Sequence, residues 1–267
     1  MREEIVRSSR IALEPAGLLA VFCTAGLALL AGRAAVLHDV YPFGTLLVAL
    51  CVRAGQQRSA ILAAICAAAG GLTAVPERVG AHLIVYSLFC LGGGRVAFGR
   101  IPAWVFALGA GAIHAVVHTG WTAALASLAV APVDPLTPWM EGTLIALLAA
   151  LIDPLALDRP LPGGAVGTRT IGRWMAAAAV VGLGVADFWV AGIAVSDVWG
   201  RWLTLTGAAL AGSGAGTALG AAMTLCLALD GVRLSGGSVL LPSSGLLAGL
   251  FARRGKAAAA FGFLVGH

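Results

Sequence analysis

The residues best suited to chemistry are His114 and His118, in the stretch HAVVH. Four-residue spacing puts both imidazoles on one face of a helix, which is a spacing that metal ligands use. The glutamate of an H-E-x-x-H site is missing, and no third ligand is evident nearby in the sequence. Two readings stand: metal or haem ligation, or two neutral imidazoles hydrogen-bonded inside a bundle. Asp187, in GLGVADFWVAG, completes the candidate polar set of His114, His118 and Asp187. Glu141 and Asp153 mark the two ends of an apolar run at 139–152. In a transporter such carboxylates would relay protons or cations. The plainer reading makes them interfacial charges, because a charge at the bilayer centre is costly. The cysteines Cys23, Cys51, Cys66, Cys90 and Cys226 lie singly in apolar runs with no C-x-x-C pair, so they read as small hydrophobes. Walker, G-x-S-x-G, kinase and Rossmann signatures are absent. No enzyme, cofactor or bound metal is expected.

Those residues need helices to hold them. The chain is 60% hydrophobic and 11% charged, with a mean hydropathy of +0.95. Apolar runs recur at close to the roughly 17–25 residues a bilayer crossing needs. Period-two alternation of the barrel kind is absent. The expected fold is all-α: a polytopic membrane bundle of about ten short segments with both ends cytoplasmic. One domain covers 1–267, with an N-terminal cytoplasmic stretch at 1–15, the bundle at 16–252 and a basic juxtamembrane stretch at 253–267 that reads as truncated.

Charges, prolines and glycines divide the runs at about 16–31, 43–52, 59–74, 80–94, 102–130, 139–152 and 174–190. Read as one helix, 202–229 would span about 42 Å at roughly 1.5 Å per residue, longer than the hydrocarbon core. The glycine-rich middle suggests a break, giving 202–211 and 215–229, and a last segment follows at 239–252. On this topology only Arg33, Arg78, Arg201 and Arg233 of the 17 basic residues lie outside, as the positive-inside rule requires. The net charge of +5 is spread singly and in pairs between apolar runs, which points to anionic lipid and excludes a nucleic-acid patch. The tryptophans fall mostly near segment ends, as an aromatic belt would place them. Gly212, Gly216 and Gly220 recur at four-residue spacing, which suits either close helix packing and self-association or a flexible hairpin. No internal repeat is evident.

Two stretches carry a family resemblance. Near the start stand Gly32, Arg33, Ala34 and then Pro42, Phe43, Gly44. Late in the chain come Gly214, Gly216, Gly220 and Ala221, then Gly245, Leu246, Leu247, Ala248, Gly249, Leu250, Phe251, Arg254, Gly255, Gly262 and Phe263. In order and spacing this resembles the N-terminal membrane region of stage II sporulation protein E, with the middle matched only as hydrophobic segments. The resemblance implies about ten membrane segments that anchor a cytoplasmic serine/threonine phosphatase at the sporulation septum, in contact with division proteins. No phosphatase aspartate has a counterpart here. The leading expectation is therefore a membrane anchor and localisation domain. The alternative is a small multi-pass permease, with a metal- or haem-linked membrane enzyme third.

Overall fold

Alanine, leucine and the other good helix formers dominate the runs, and the prolines fall near their ends, so the chain folds as helices. The structure is a computed structural model that describes residues 15–36, 39–96, 98–128, 136–156, 177–178, 180–229 and 239–267. The helices are α1 (Pro15–Arg33), α2 (Phe43–Arg53), α3 (Gln57–Ala74), α4 (Val79–Gly93), α5 (Ala103–Ser127) and α6 (Leu136–Ala156). They continue with α7 (Val195–Ala211), α8 (Ser213–Leu229), α9 (Leu241–Ala252) and α10 (Lys256–Gly266). Short 3₁₀ turns, Pro76–Arg78 and Phe98–Arg100, precede α4 and α5.

Two cores result. The first joins α1 to α6 through Ala28, Val48, Ala63, Val85, Phe106 and Ile145. The second joins α7 to α10 through Ala208, Met223, Leu241, Ala248 and Phe263. Arg33 links the two parts. Its Nε donates to the Gly184 carbonyl at 3.3 Å, another guanidinium nitrogen donates to Thr73, and Phe188 stacks on its cation at 4.7 Å.

The segment boundaries agree closely with the sequence reading through α6, and the break falls where the glycines are. Gly212 takes φ +85°, left-handed backbone that side chains avoid, and separates α7 from α8. Of the run at 174–190, the described part is helical at 177–178 and 180–184, then turns. Trp189–Val190 pairs antiparallel with Ile193–Ala194 instead of finishing a helix. Ala191 and Gly192 both have positive φ, as a two-residue type I′ hairpin requires. SDVWGR, which falls between the expected runs 174–190 and 202–211, forms the first turns of α7, with Asp197 at the helix start where the macrodipole favours an acid.

The C-terminal stretch also differs from expectation. Rather than continuing away as a juxtamembrane segment, α10 folds back along α9. Gly262 meets Leu247 and Phe251, and Gly266 meets Ser243 and Ser244. The Ser243 hydroxyl donates to the Gly266 carbonyl at 3.0 Å. The basic residues Arg253, Arg254 and Lys256 sit exposed at the turn of this hairpin.

The hairpin of α9 and α10 has a counterpart earlier in the chain. Residues 46–55, LLVALCVRAG, and 246–255, LLAGLFARRG, share both leading leucines, a third Leu, an Arg and the closing Gly. Pro42 and Pro242 stand at the starts of α2 and α9. Both helices end in a three-residue connection with a positive-φ glycine, Gly55 or Gly255, and turn into the next helix. By length and composition α5 is the one helix among the described residues that suffices to cross a membrane, and α2, α9, α10 and parts of α1 and α6 are shorter apolar helices.

Candidate functional site

Helix α5 presents Phe106, Ala107, Ala110, Gly111, His114, Ala115 and His118 inward, a stripe at helical spacing. Its opposite face carries Trp104, Leu108 and Val116, all exposed. Helix α6 turns Glu141, Gly142, Ile145 and Ala149 inward. The two helices meet at Gly111 and Gly142, where a Cβ on either would strike the other's backbone carbonyl. This close crossing brings Glu141 beside His114. Helix α4 arrives by a different device. Trp121 packs where a side chain on Gly80 would lie, and its indole Nε1–H donates to the Glu77 carbonyl at 3.1 Å. That contact holds the start of α4, and with it His82, against α5.

The result is a closed polar cluster. His114 and Glu141 are fully buried, His118 is 2% exposed and His82 8%. The His114 Nε2–H donates to Glu141 Oε2 at 2.8 Å, and the Tyr41 backbone N–H donates to Oε1 at 2.9 Å. Arg78 approaches Oε1 at 3.5 Å, and His118 Nδ1 lies 3.6 Å from Oε2. On its other side His114 Nδ1 accepts from the Thr45 hydroxyl at 3.1 Å. The His82 Nδ1–H donates to the Arg78 carbonyl at 3.0 Å. The imidazoles of His114 and His118 stack at 4.1 Å, and His82 lies edge-on to His118 at 4.4 Å. A buried carboxylate needs compensating charge and several donors. Glu141 has both.

Comparison with family models, with curated proteins and with solved structures finds no match for this chain.

Of the residues singled out from sequence, His114 and His118 do share a face and meet. The third nitrogen donor that seemed missing is His82, which lies 32 positions before His114 and is brought in only by the packing of α4 on α5. Asp187 does not belong with them: it is exposed in the turn that precedes the β-hairpin. Glu141 is not an interfacial charge but the fully buried anion of the cluster. Asp153 falls where the structure describes the backbone alone.

The residues of the family-like motifs have packing roles. Pro42 is buried at the head of α2, and Phe43 packs on the small core of Leu46, Ala107 and Ala149. Gly44 leaves the room that the Tyr86 hydroxyl fills, so it supports the cluster indirectly. Gly32 lets α1 approach the Ala67 backbone of α3. Gly216 faces Gly245, Gly220 faces Leu241, and Gly249 faces Ser213. These glycine faces are thus occupied within one chain, by the crossing of α8 and α9. Arg254 and Gly255 form the exposed turn between α9 and α10.

Proposed function

We propose that the chain is a multi-pass membrane domain that anchors and localises an attached cytoplasmic module. One observation carries the membrane part: polar and apolar groups are distributed inside out. Arg53, His82, His114, His118 and Glu141 are buried, while Leu19, Phe22, Ile65, Leu91, Trp104, Leu151, Leu210 and Leu264 face outward. Soluble proteins rarely expose large contiguous apolar patches. Hydrocarbon tolerates such a surface, and it accepts backbone whose hydrogen bonds are closed within helices.

Several helices are too short to cross alone. At about 1.5 Å per residue, α2, α9 and α10 each reach roughly half of a 30 Å core. Such helices enter as half-crossings buried against longer neighbours. The hairpin of α9 and α10 then turns at Arg253, Arg254 and Lys256, a basic cluster suited to anionic headgroups. The anchoring part rests on the resemblance to the membrane region of stage II sporulation protein E. In that reading the bundle confines a phosphatase to the septal membrane, which raises its local concentration.

A permease remains the second reading, favoured by ionisable groups buried within apolar helices. Against it, the cluster is sealed by its own ring contacts. A fluorescent protein fused after His267 and imaged in sporulating cells tests the anchor. Septal enrichment is expected. Uniform membrane fluorescence would remove the septal assignment, and cytosolic fluorescence would remove the membrane assignment as well.

A further inference from the structure

We propose that His82, His114 and His118, together with the Glu141 carboxylate, form a site for one divalent transition-metal cation of the zinc class. This goes beyond the anchoring role and does not depend on it.

The geometry starts the argument. Three buried imidazoles from two helices offer ligand atoms that all lie within 4.8 Å of one another. Tetrahedral zinc with metal–nitrogen bonds of about 2.0–2.1 Å sets its donors roughly 3.4 Å apart. Small side-chain rotations close that difference, because all three rings already touch. The donor set is chemically suited as well. Imidazole with one carboxylate selects zinc, copper or nickel, whereas magnesium and calcium want oxygen.

The hydrogen bonds around the rings indicate the same use. His118 Nε2 is buried with no hydrogen-bond partner. Buried polar atoms are nearly always satisfied, so an orphan on a ring packed among other imidazoles calls for a ligand. In the tautomer that commits Nδ1–H to the Arg78 carbonyl, Nε2 carries the lone pair of the His82 ring. A backbone carbonyl behind the ring is the usual support of a metal-bound histidine. His114 has Thr45 at Nδ1, a hydroxyl able to accept as well as donate. On binding, His114 moves its proton from Nε2 to Nδ1 and donates to Thr45, and its Nε2 lone pair goes to the metal. No proton is gained or lost at the ring.

Charge balance involves Arg78. Its guanidinium stands 3.5 Å from Glu141 but is 21% exposed, and it also donates to the Asp39 carbonyl. It can withdraw towards that surface while the cation takes over Glu141. All four donors then come from the protein, leaving no open position, which is the pattern of a structural rather than a catalytic site. Such an ion would fasten α4, α5 and α6 together.

The test uses the full chain, purified in detergent, stripped with chelator and dialysed against Co²⁺. The expected result is one equivalent per chain, with the intense visible absorption of tetrahedral cobalt, which Zn²⁺ abolishes and Mg²⁺ does not. His82→Gln and His118→Gln are each expected to weaken binding at least about 10-fold, the effect that loss of even a supporting contact can have. His267→Gln, at the chain end, is expected to bind as wild type does. Circular dichroism checks that each variant is folded. If a ligand variant does not fold, the stoichiometry and spectrum of the wild-type chain decide alone. Binding below about a tenth of an equivalent, a pale octahedral spectrum, or unchanged affinity in folded His82→Gln and His118→Gln would overturn the site.

Discussion

Glu141→Leu is expected to destabilise the chain by roughly 3–5 kcal/mol, the range seen when one partner of a buried ion pair is removed. The carboxylate is fully buried and gathers the Tyr41 backbone N–H, the His114 ring and the Arg78 guanidinium. Leucine has nearly the right volume, so little of the loss comes from packing. It comes from the Tyr41 N–H and the His114 ring, buried donors left without their acceptor. Glu141→Gln keeps an acceptor for Tyr41 and is expected to lose less than half as much. Reversible unfolding in mixed detergent–denaturant micelles, followed by circular dichroism, reads both. A Glu141→Leu variant within about 0.5 kcal/mol of wild type, the spread of ordinary surface substitutions, would show that the cluster does not hold these helices.

The second large effect is expected at Gly245→Val. A Cβ there meets the Gly216 backbone across the crossing of α8 and α9. Backbone cannot step aside as a side-chain tip can, so the two helices must separate and the Met223–Leu241–Ala248 core opens. A loss of about 3 kcal/mol or more is expected, at the upper end of overpacking. Gly109→Ala is the control. Gly109 lies within α5 with nothing near the added methyl, and alanine there should stabilise by about 0.5–1 kcal/mol. The same pair of variants separates packing from self-association. If the glycine face joined copies of the chain, Gly245→Val would lower the oligomeric state and leave the monomer's stability unchanged.

Several features could be read from the sequence because they break its uniformity. Charges and prolines ended helices where expected, and the glycine-rich middle of 202–229 did mark the change from α7 to α8. The histidine pair was visible because four-residue spacing alone puts His114 and His118 on one face. What completes their site was hidden. In a chain with apolar residues on every face, hydropathy no longer shows which side of a helix is inside. Glu141 therefore reads from sequence as a charge at the end of an apolar run, and nothing in its neighbourhood marks His82. Gly111 and Gly142, which bring α5 and α6 together, were two among 37 glycines. The hairpin at Ala191 and Gly192 lies in a stretch as apolar as the helices around it. The likeness between 46–55 and 246–255 is faint as letters in so uniform a chain and gains meaning from the fold, where both segments are short helices turning at a glycine.

The central claim is that these helices turn their apolar faces to lipid and their charges inward. Trp104 tests it most directly, because it lies on the outer face of α5 and is 65% exposed. A variant keeping Trp104 as its only tryptophan, reconstituted in bilayers of acyl-chain-brominated lipid, should show strong quenching of its fluorescence. Bromine quenches only at close range, so the account predicts a large loss of signal relative to unbrominated lipid. Fluorescence that is unchanged by bromine, and quenched instead by aqueous iodide, would contradict it.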